Sequence, residues 1–219
     1  MMDPSAVVLV VDDDESVRRA LTRLLTAEGY EVHTYASAHE LLMQGTPSGS
    51  GCALLDVRLP GLGGLELQST LRAIGWDLPI VFMTGHGDVP TSVRAMKGGA
   101  VDFLSKPFGD GELLEAIGRA LARERATRQE REQLTDLRNR FDSLTPRERE
   151  VCALVVTGRL NKQIAATLGT SEKTIKVHRA RAMAKMQARS LAELVRIVDR
   201  LGVTRGAFPA AMALVSHAP

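Results

Sequence analysis

Cysteine is scarce in this chain, and so are long apolar stretches. Its two cysteines, Cys52 and Cys152, fall one in each half, both inside apolar runs and without CxxC spacing. They read as buried free thiols in a reducing compartment. No stretch approaches the ~18 consecutive apolar residues that a membrane span needs. The first apolar run meets acids after six residues, which excludes a signal peptide. The expected location is the cytoplasm, with no membrane contact. Proline and glycine are missing from 123–140, a stretch that is almost wholly charged or polar.

What is present is divided by charge. Of 219 residues with a formal net charge of +2, the first 120 carry 9 Lys/Arg against 16 Asp/Glu and the rest 19 against 10. That length favours two domains. An acidic half joined to a basic half suggests a regulatory or metal-binding domain beside one that binds a polyanion.

The acidic half repeats one figure. An apolar run at 6–11 stops at Asp12-Asp13-Asp14, and a second at 52–55 stops at Asp56, before Pro60-Gly61. Each reads as a buried strand that delivers a carboxylate to its C-terminal tip. Further strands are expected at 30–35, 79–83 and 101–104, the last two closed by Thr84-Gly85 and Ser105-Lys106-Pro107. Helical patterns lie between them: 15–28 with Val17, Leu21, Leu24 and Leu25 on one stripe, 38–44, a helix through Leu65, Leu67, Leu71 and Ile74, 89–98, and a last one through Leu113, Leu114, Ile117 and Leu121. Five strands alternating with helices predict a doubly wound parallel sheet. Such sheets bind ligands beyond the carboxyl ends of their strands. Asp12, Asp13, Asp56, Thr84 and Lys106 would meet there.

Carboxylates brought together repel, and one stays protonated unless a cation neutralises them. An all-oxygen cluster suits Mg²⁺. A carboxylate nucleophile, a metal, the Lys106 cation and the Thr84 hydroxyl make a site for phosphoryl transfer onto Asp. Asp14 reads as a helix N-cap and not a ligand. His86, in a Gly-flanked loop, reads as a loop contact.

Residues 5–121 resemble the receiver domain of two-component response regulators. The resemblance runs through Val11-Asp12-Asp13, Leu55-Asp56-Val57-Arg58-Leu59-Pro60-Gly61, Met83-Thr84-Gly85-His86-Gly87 and Phe103-Leu104-Ser105-Lys106-Pro107-Phe108. It implies a flavodoxin-like α/β fold and a phosphoryl group accepted on Asp56 from the phosphohistidine of a sensor histidine kinase. By the same resemblance, Asp12, Asp13, Asp56 and the backbone carbonyl of Arg58 would hold Mg²⁺. Thr84 and Phe103 would occupy the switch positions, with Phe103 standing where many relatives carry Tyr. Gly63 stands where many have a polar N-cap, so a frayed helix start is expected there.

The stretch 123–140 could extend the last helix, after which Leu134, Leu137, Phe141 and Leu144 resume helical spacing, as a coiled-coil seam or as packing onto the next domain. Thr145-Pro146-Arg147-Glu148 spells a helix start, with Thr as N-cap, Pro at N1 and Glu at N3. That helix would bury Val151, Leu154 and Val155 and stop at Gly158. A second helix is expected at 161–168, a third capped by Ser171 and running to about 187, and a fourth at about 191–201. Two short helices around a Gly turn form a helix-turn-helix signature. From 144 to the end there are 13 Lys/Arg and 5 Asp/Glu, a fitting footprint for phosphates. On the third helix Ile175, Ala182 and Met186 are spaced for the core, while Lys173, Lys176, Val177, Ala180 and Arg181 would face outward, flanked by Arg179.

Residues 144–199 resemble the LuxR-type DNA-binding domain through Leu144-Thr145-Pro146-Arg147-Glu148, Asn161-Lys162-Gln163-Ile164-Ala165 and Thr174-Ile175-Lys176-Val177-His178-Arg179. The resemblance implies base contacts from Lys176 and Val177, phosphate contacts from Lys162, Thr174 and Arg179, and a dimer face on the fourth helix. The pairing of domains resembles FixJ/NarL-type regulators. The expected organisation is a receiver domain at 1–121, a helical linker at 122–143, an all-α four-helix DNA-binding domain at 144–201 and a tail at 202–219. The expected function is a phosphorylation-activated DNA-binding transcriptional regulator, not an enzyme. Its partners would be the kinase, double-stranded promoter DNA, RNA polymerase and, once phosphorylated, a second copy of the chain. The rivals are an aspartyl-phosphate phosphatase and a receiver-controlled RNA-binding antiterminator.

Overall fold

The structure, a computed structural model, describes residues 6–45, 50–85 and 89–203. His86, the loop residues at 46–49 and the tail from 204 lie outside them. The chain divides into two compact units, Met1–Arg128 and Gln129–Pro219.

The first unit alternates β1 (Val7–Val11), α1 (Glu15–Ala27), β2 (Glu31–Tyr35), α2 (Ala38–Gln44), β3 (Gly51–Asp56), α3 (Gly64–Ala73), β4 (Ile80–Thr84), α4 (Val89–Lys97) and β5 (Asp102–Ser105). α5 (Asp110–Asp142) follows. The five strands are parallel in the order β2-β1-β3-β4-β5. The chain therefore winds one way from β1 to β2 and the other way from β3 onward, and the crevice between β1 and β3 is the switch point where such sheets take ligands.

Strand side chains alternate between the two faces, and β1, β3 and β4 are buried on both, which is why these three strands read as near-continuous apolar runs. Val8, Val10, Leu54, Val81 and Met83 pack with Leu21 and Leu25 of α1 and Leu113 and Ile117 of α5. Val7, Leu9, Val11, Leu55 and Phe82 pack with Leu41 of α2, Leu67 and Leu71 of α3 and Ala95 of α4. Phe82 is wholly buried, and truncating such a ring to Ala costs about 3–5 kcal/mol.

Strand ends differ from the sequence expectation by about one residue. β4 begins at Ile80 and extends through Thr84, and β5 spans Asp102–Ser105. Thr84 is thus the last rung of its strand and pairs with Ser105.

α5 does not stop near 121 but runs for 33 residues. Nothing in its polar stretch breaks a helix: no Pro, no Gly, and mostly good helix formers such as Arg, Glu, Gln, Ala and Leu. In the second unit Phe141 and Leu144 are buried in the core, so their resumed spacing serves packing.

That unit holds α6 (Pro146–Val156), α7 (Asn161–Thr167), α8 (Glu172–Lys185) and α9 (Leu191–Arg200). α6 starts with the capping box in full: Thr145 accepts from the Glu148 backbone N–H, and Glu148 accepts from the Thr145 N–H. α7 reaches its end at Gly169, φ +60°, a conformation that glycine adopts without a Cβ clash. Val151, Leu154, Ile164, Ile175, Met186, Leu194 and Val198 fill the core.

Candidate functional site

The sheet edge is built by register. Val11 pairs with Leu55, so Asp12 and Asp56 follow as the next residue on neighbouring strands. Asp56 in turn pairs with Met83, and Lys106 lies just past the rung of Thr84 and Ser105. Both Asp12 and Asp56 are buried, at 0% and 7% exposure, and Thr84 is buried as well. Asp13 is exposed.

One carboxylate oxygen from each of Asp12, Asp13 and Asp56 lies within 4.8 Å of the others. Lys106 Nζ donates to Asp56 Oδ2 at 2.8 Å and to Asp12 Oδ2 at 2.5 Å. Asp12 Oδ1 accepts from the Asp14 N–H, and Asp56 Oδ1 from the Arg58 N–H at 2.9 Å. Burial pushes the Asp12 carboxyl above its ordinary value, against the pull of Lys106 and the Asp14 N–H. Burial draws the Lys106 ammonium down, but its bonds to Asp12 and Asp56 more than reverse this and leave it raised. The donors are all hard oxygens and include an exposed carboxylate open to solvent. That set fits a small hard divalent cation of the Mg²⁺ type, which keeps several waters.

Asp14 caps α1, accepting from the Ser16 N–H at 2.8 Å and from its hydroxyl. The Ser16 bonds hold its carboxyl below the usual range. Gly63 is the N-cap of α3 and makes no side-chain cap bond. The stricter requirement falls on Gly64, where a Cβ would run into the Asp56 carbonyl oxygen. Its missing side chain lets α3 start directly against the acid-bearing strand end. Phe103 is half-buried and packs with the core beneath α3 and α4.

One residue that the sequence did not single out belongs here. Arg18 Nη1 donates to the backbone carbonyls of Asp12 at 2.7 Å and Asp13 at 2.9 Å. The only signal for it was a basic residue one turn into α1.

The second unit presents α8 as a basic face. Lys173, Lys176, Val177, Ala180 and Arg181 are exposed, as is Lys162 on α7, while Ile175 and Ala182 point into the core. Val177 is 43% exposed among lysines. Thr174 is half-buried, its hydroxyl 2.9 Å from that of Ser171. Arg179 is not a free flank: its Nη1 donates to Asn161 Oδ1 at 3.3 Å, joining α8 to the start of α7. Arg147 donates to the Leu168 carbonyl at the end of α7. The same unit holds an ion pair that the sequence did not reveal, the buried Glu148 with the part-exposed Lys185 at 2.7 Å. Its partners are 37 positions apart.

The two units match two known families. Residues 8–118 match the family described as "Response regulator receiver domain", and residues 142–198 match "Bacterial regulatory proteins, luxR family". Nodulation protein W of Bradyrhizobium diazoefficiens is 51% identical over 199 residues, covering 91% of this chain and 88% of that protein. Transcriptional regulatory protein FixJ of Azorhizobium caulinodans is 44% identical over 202 residues, covering 92% of this chain and 96% of that one. Among solved structures, response regulator StyR gives a TM-score of 0.80 at 49% identity over 89% of this chain and 98% of its own. These matches favour a transcriptional regulator over the phosphatase and antiterminator readings. Both halves thus find counterparts in one kind of protein, and the chain belongs to the response regulators that couple a receiver domain to a LuxR-type DNA-binding domain.

Proposed function

We propose that Asp56 is the phosphoacceptor and that the phosphoryl group it carries controls binding of α8 to DNA. One observation carries this reading: the Lys106 ammonium held between the carboxylates of Asp12 and Asp56. In the transfer, an Asp56 carboxylate oxygen forms the new bond to phosphorus as the bond to the donor, a sensor kinase phosphohistidine, breaks and its electron pair leaves with the imidazole. Lys106 would follow the incoming phosphoryl oxygens, and Thr84 would offer its hydroxyl from the adjacent strand end. Asp12, Asp13, Asp56 and the Arg58 carbonyl would hold Mg²⁺, which offsets negative charge on the transferred group when bound.

Thr84 and Phe103 would then shift the receiver towards a form that pairs with a second copy. Val93 and Met96, exposed one turn apart on α4, support the face of α4, β5 and α5 as the pairing surface. Two paired chains would set two copies of α8 into successive major-groove half-sites. Lys176 and Val177 would reach bases, Lys162, Thr174 and Arg179 would bind phosphates, and Lys173 and Arg181 would add to the basic face. The functional limits are a receiver at 1–121, a helical linker at 122–143, a DNA-binding domain at 144–201 and a tail at 202–219. The protein would work in the cytoplasm with its kinase, promoter DNA and RNA polymerase.

The test is acetyl phosphate with Mg²⁺, read by intact mass. Wild type should gain one phosphoryl group, lost on hydroxylamine treatment, and Asp56→Asn should gain none. A wild type that gains none, or an Asp56→Asn variant that gains one, overturns the assignment.

A further inference from the structure

Arg18 is the residue that the acid site still leaves unused. It sits on the first turn of α1, half-buried, and a single nitrogen, Nη1, donates to two successive carbonyls, those of Asp12 and Asp13. Both carbonyls lie just beyond β1, where the sheet ladder no longer supplies a donor. The same short segment is held at other points: the Asp12 N–H donates to the Tyr35 carbonyl, the Asp14 N–H to Asp12 Oδ1, and the Arg18 N–H to the Asp14 carbonyl. Arg18 therefore closes a small ring of bonds around the two peptides that carry Asp12 and Asp13. The direction in which those carboxylates leave the backbone follows from the orientation of the peptides.

We propose that Arg18 is a positioning residue for a divalent-cation site formed by Asp12, Asp13 and Asp56, fixing the backbone that aims two of the three ligands. This inference rests on the reading of the acid cluster as a cation site. It is unlike a simple charge effect in sign. A guanidinium close to a cation site repels the cation, so removing it should tighten binding if charge were its contribution. If orientation is its contribution, removing it weakens binding, and outer-shell partners of ligands typically govern ~10-fold or more in affinity.

The experiment is a Mg²⁺ titration by calorimetry, without any phosphodonor, on wild type, Arg18→Ala, Arg18→Lys and Asp13→Asn, with a melting curve for each. Lysine keeps the charge but is shorter and lacks the planar guanidinium whose one nitrogen, Nη1, reaches both carbonyls. The expected result is ~10-fold weaker Mg²⁺ binding in both Arg18 variants, with melting temperatures close to wild type. Phosphorylation by acetyl phosphate should recover in the Arg18 variants at high Mg²⁺, so the defect lies in the Mg²⁺ requirement and not in the maximal rate. Unchanged or tighter binding in Arg18→Ala overturns the proposal, and so does full affinity in Arg18→Lys. If wild type binds no Mg²⁺, or Asp13→Asn binds it as wild type does, the cation-site reading itself fails.

Discussion

Lys106 Nζ lies 2.8 Å from Asp56 Oδ2 and also bonds Asp12, so one ammonium joins two carboxylates on adjacent strands. Without it the two buried acids would face each other across β1 and β3. Removing one partner of such a cluster is destabilising, here by about 2 kcal/mol given the partial exposure of the lysine. Lys106→Ala should therefore melt at lower temperature than wild type in a metal-free buffer. Saturating Mg²⁺ should narrow the gap, because the cation replaces the missing positive charge. Melting curves with chelator and with Mg²⁺ check both statements.

Glu148 and Lys185 predict a pH dependence in the second unit. The Lys185 hydrogen bond, followed by the Thr145 N–H, holds the Glu148 carboxyl below its ordinary value of 4.5. A depressed carboxylate adds stability that is full above that ordinary value and is lost as pH falls through the lower, folded one. Chemical denaturation from pH 7 down to about 3 should show this loss in wild type and a shallower one in Glu148→Gln. At neutral pH the substitution should cost about 1–2 kcal/mol through the weakened cap and the lost charged bond.

The basic face separates two kinds of contact. Lys162→Ala should weaken binding to every duplex about equally and reduce the salt slope by about 1. Val177→Ala should leave the salt slope unchanged and lower discrimination between the operator and single-base variants by about 1 kcal/mol. Asn161→Ala should resemble the phosphate class, because it frees the Arg179 guanidinium that Asn161 now aims. Fluorescence anisotropy across a salt series distinguishes the classes.

Cys52 and Cys152 should be inert in the folded protein. Burial pushes their thiols up to about 12 and about 11, so almost no thiolate exists at pH 8. Alkylation should require unfolding. Rapid labelling of the native protein would contradict the burial of both.

Asp12 and Asp56 were legible in the sequence because each closes an apolar run buried on both faces, which can end only where the chain leaves the sheet, and Lys106 because Ser105-Lys106-Pro107 breaks the strand before it. The capping box at Thr145 was legible for a similar reason: all its partners lie within one turn. Arg18 was not, because its acceptors are backbone carbonyls and a basic residue on the polar stripe of α1 looks like any solvated one. Glu148 with Lys185 was hidden by distance along the chain, and Gly64 by the absence of any local sign that β3 passes so close. The length of α5 stayed open because its charged stretch lacks apolar periodicity, although every residue in it tolerates a helix.

Phosphorylation of Asp56 should change what the DNA-binding domain does. The most direct measurement is the affinity of the full-length protein for duplex operator DNA, with and without beryllium fluoride and Mg²⁺, in wild type and Asp56→Asn, with oligomeric state followed by light scattering. Wild type should bind at least tenfold more tightly with the phosphoryl mimic and shift from one copy to two, while Asp56→Asn responds in neither. An unchanged wild type, or an Asp56→Asn variant that responds like wild type, would contradict the account.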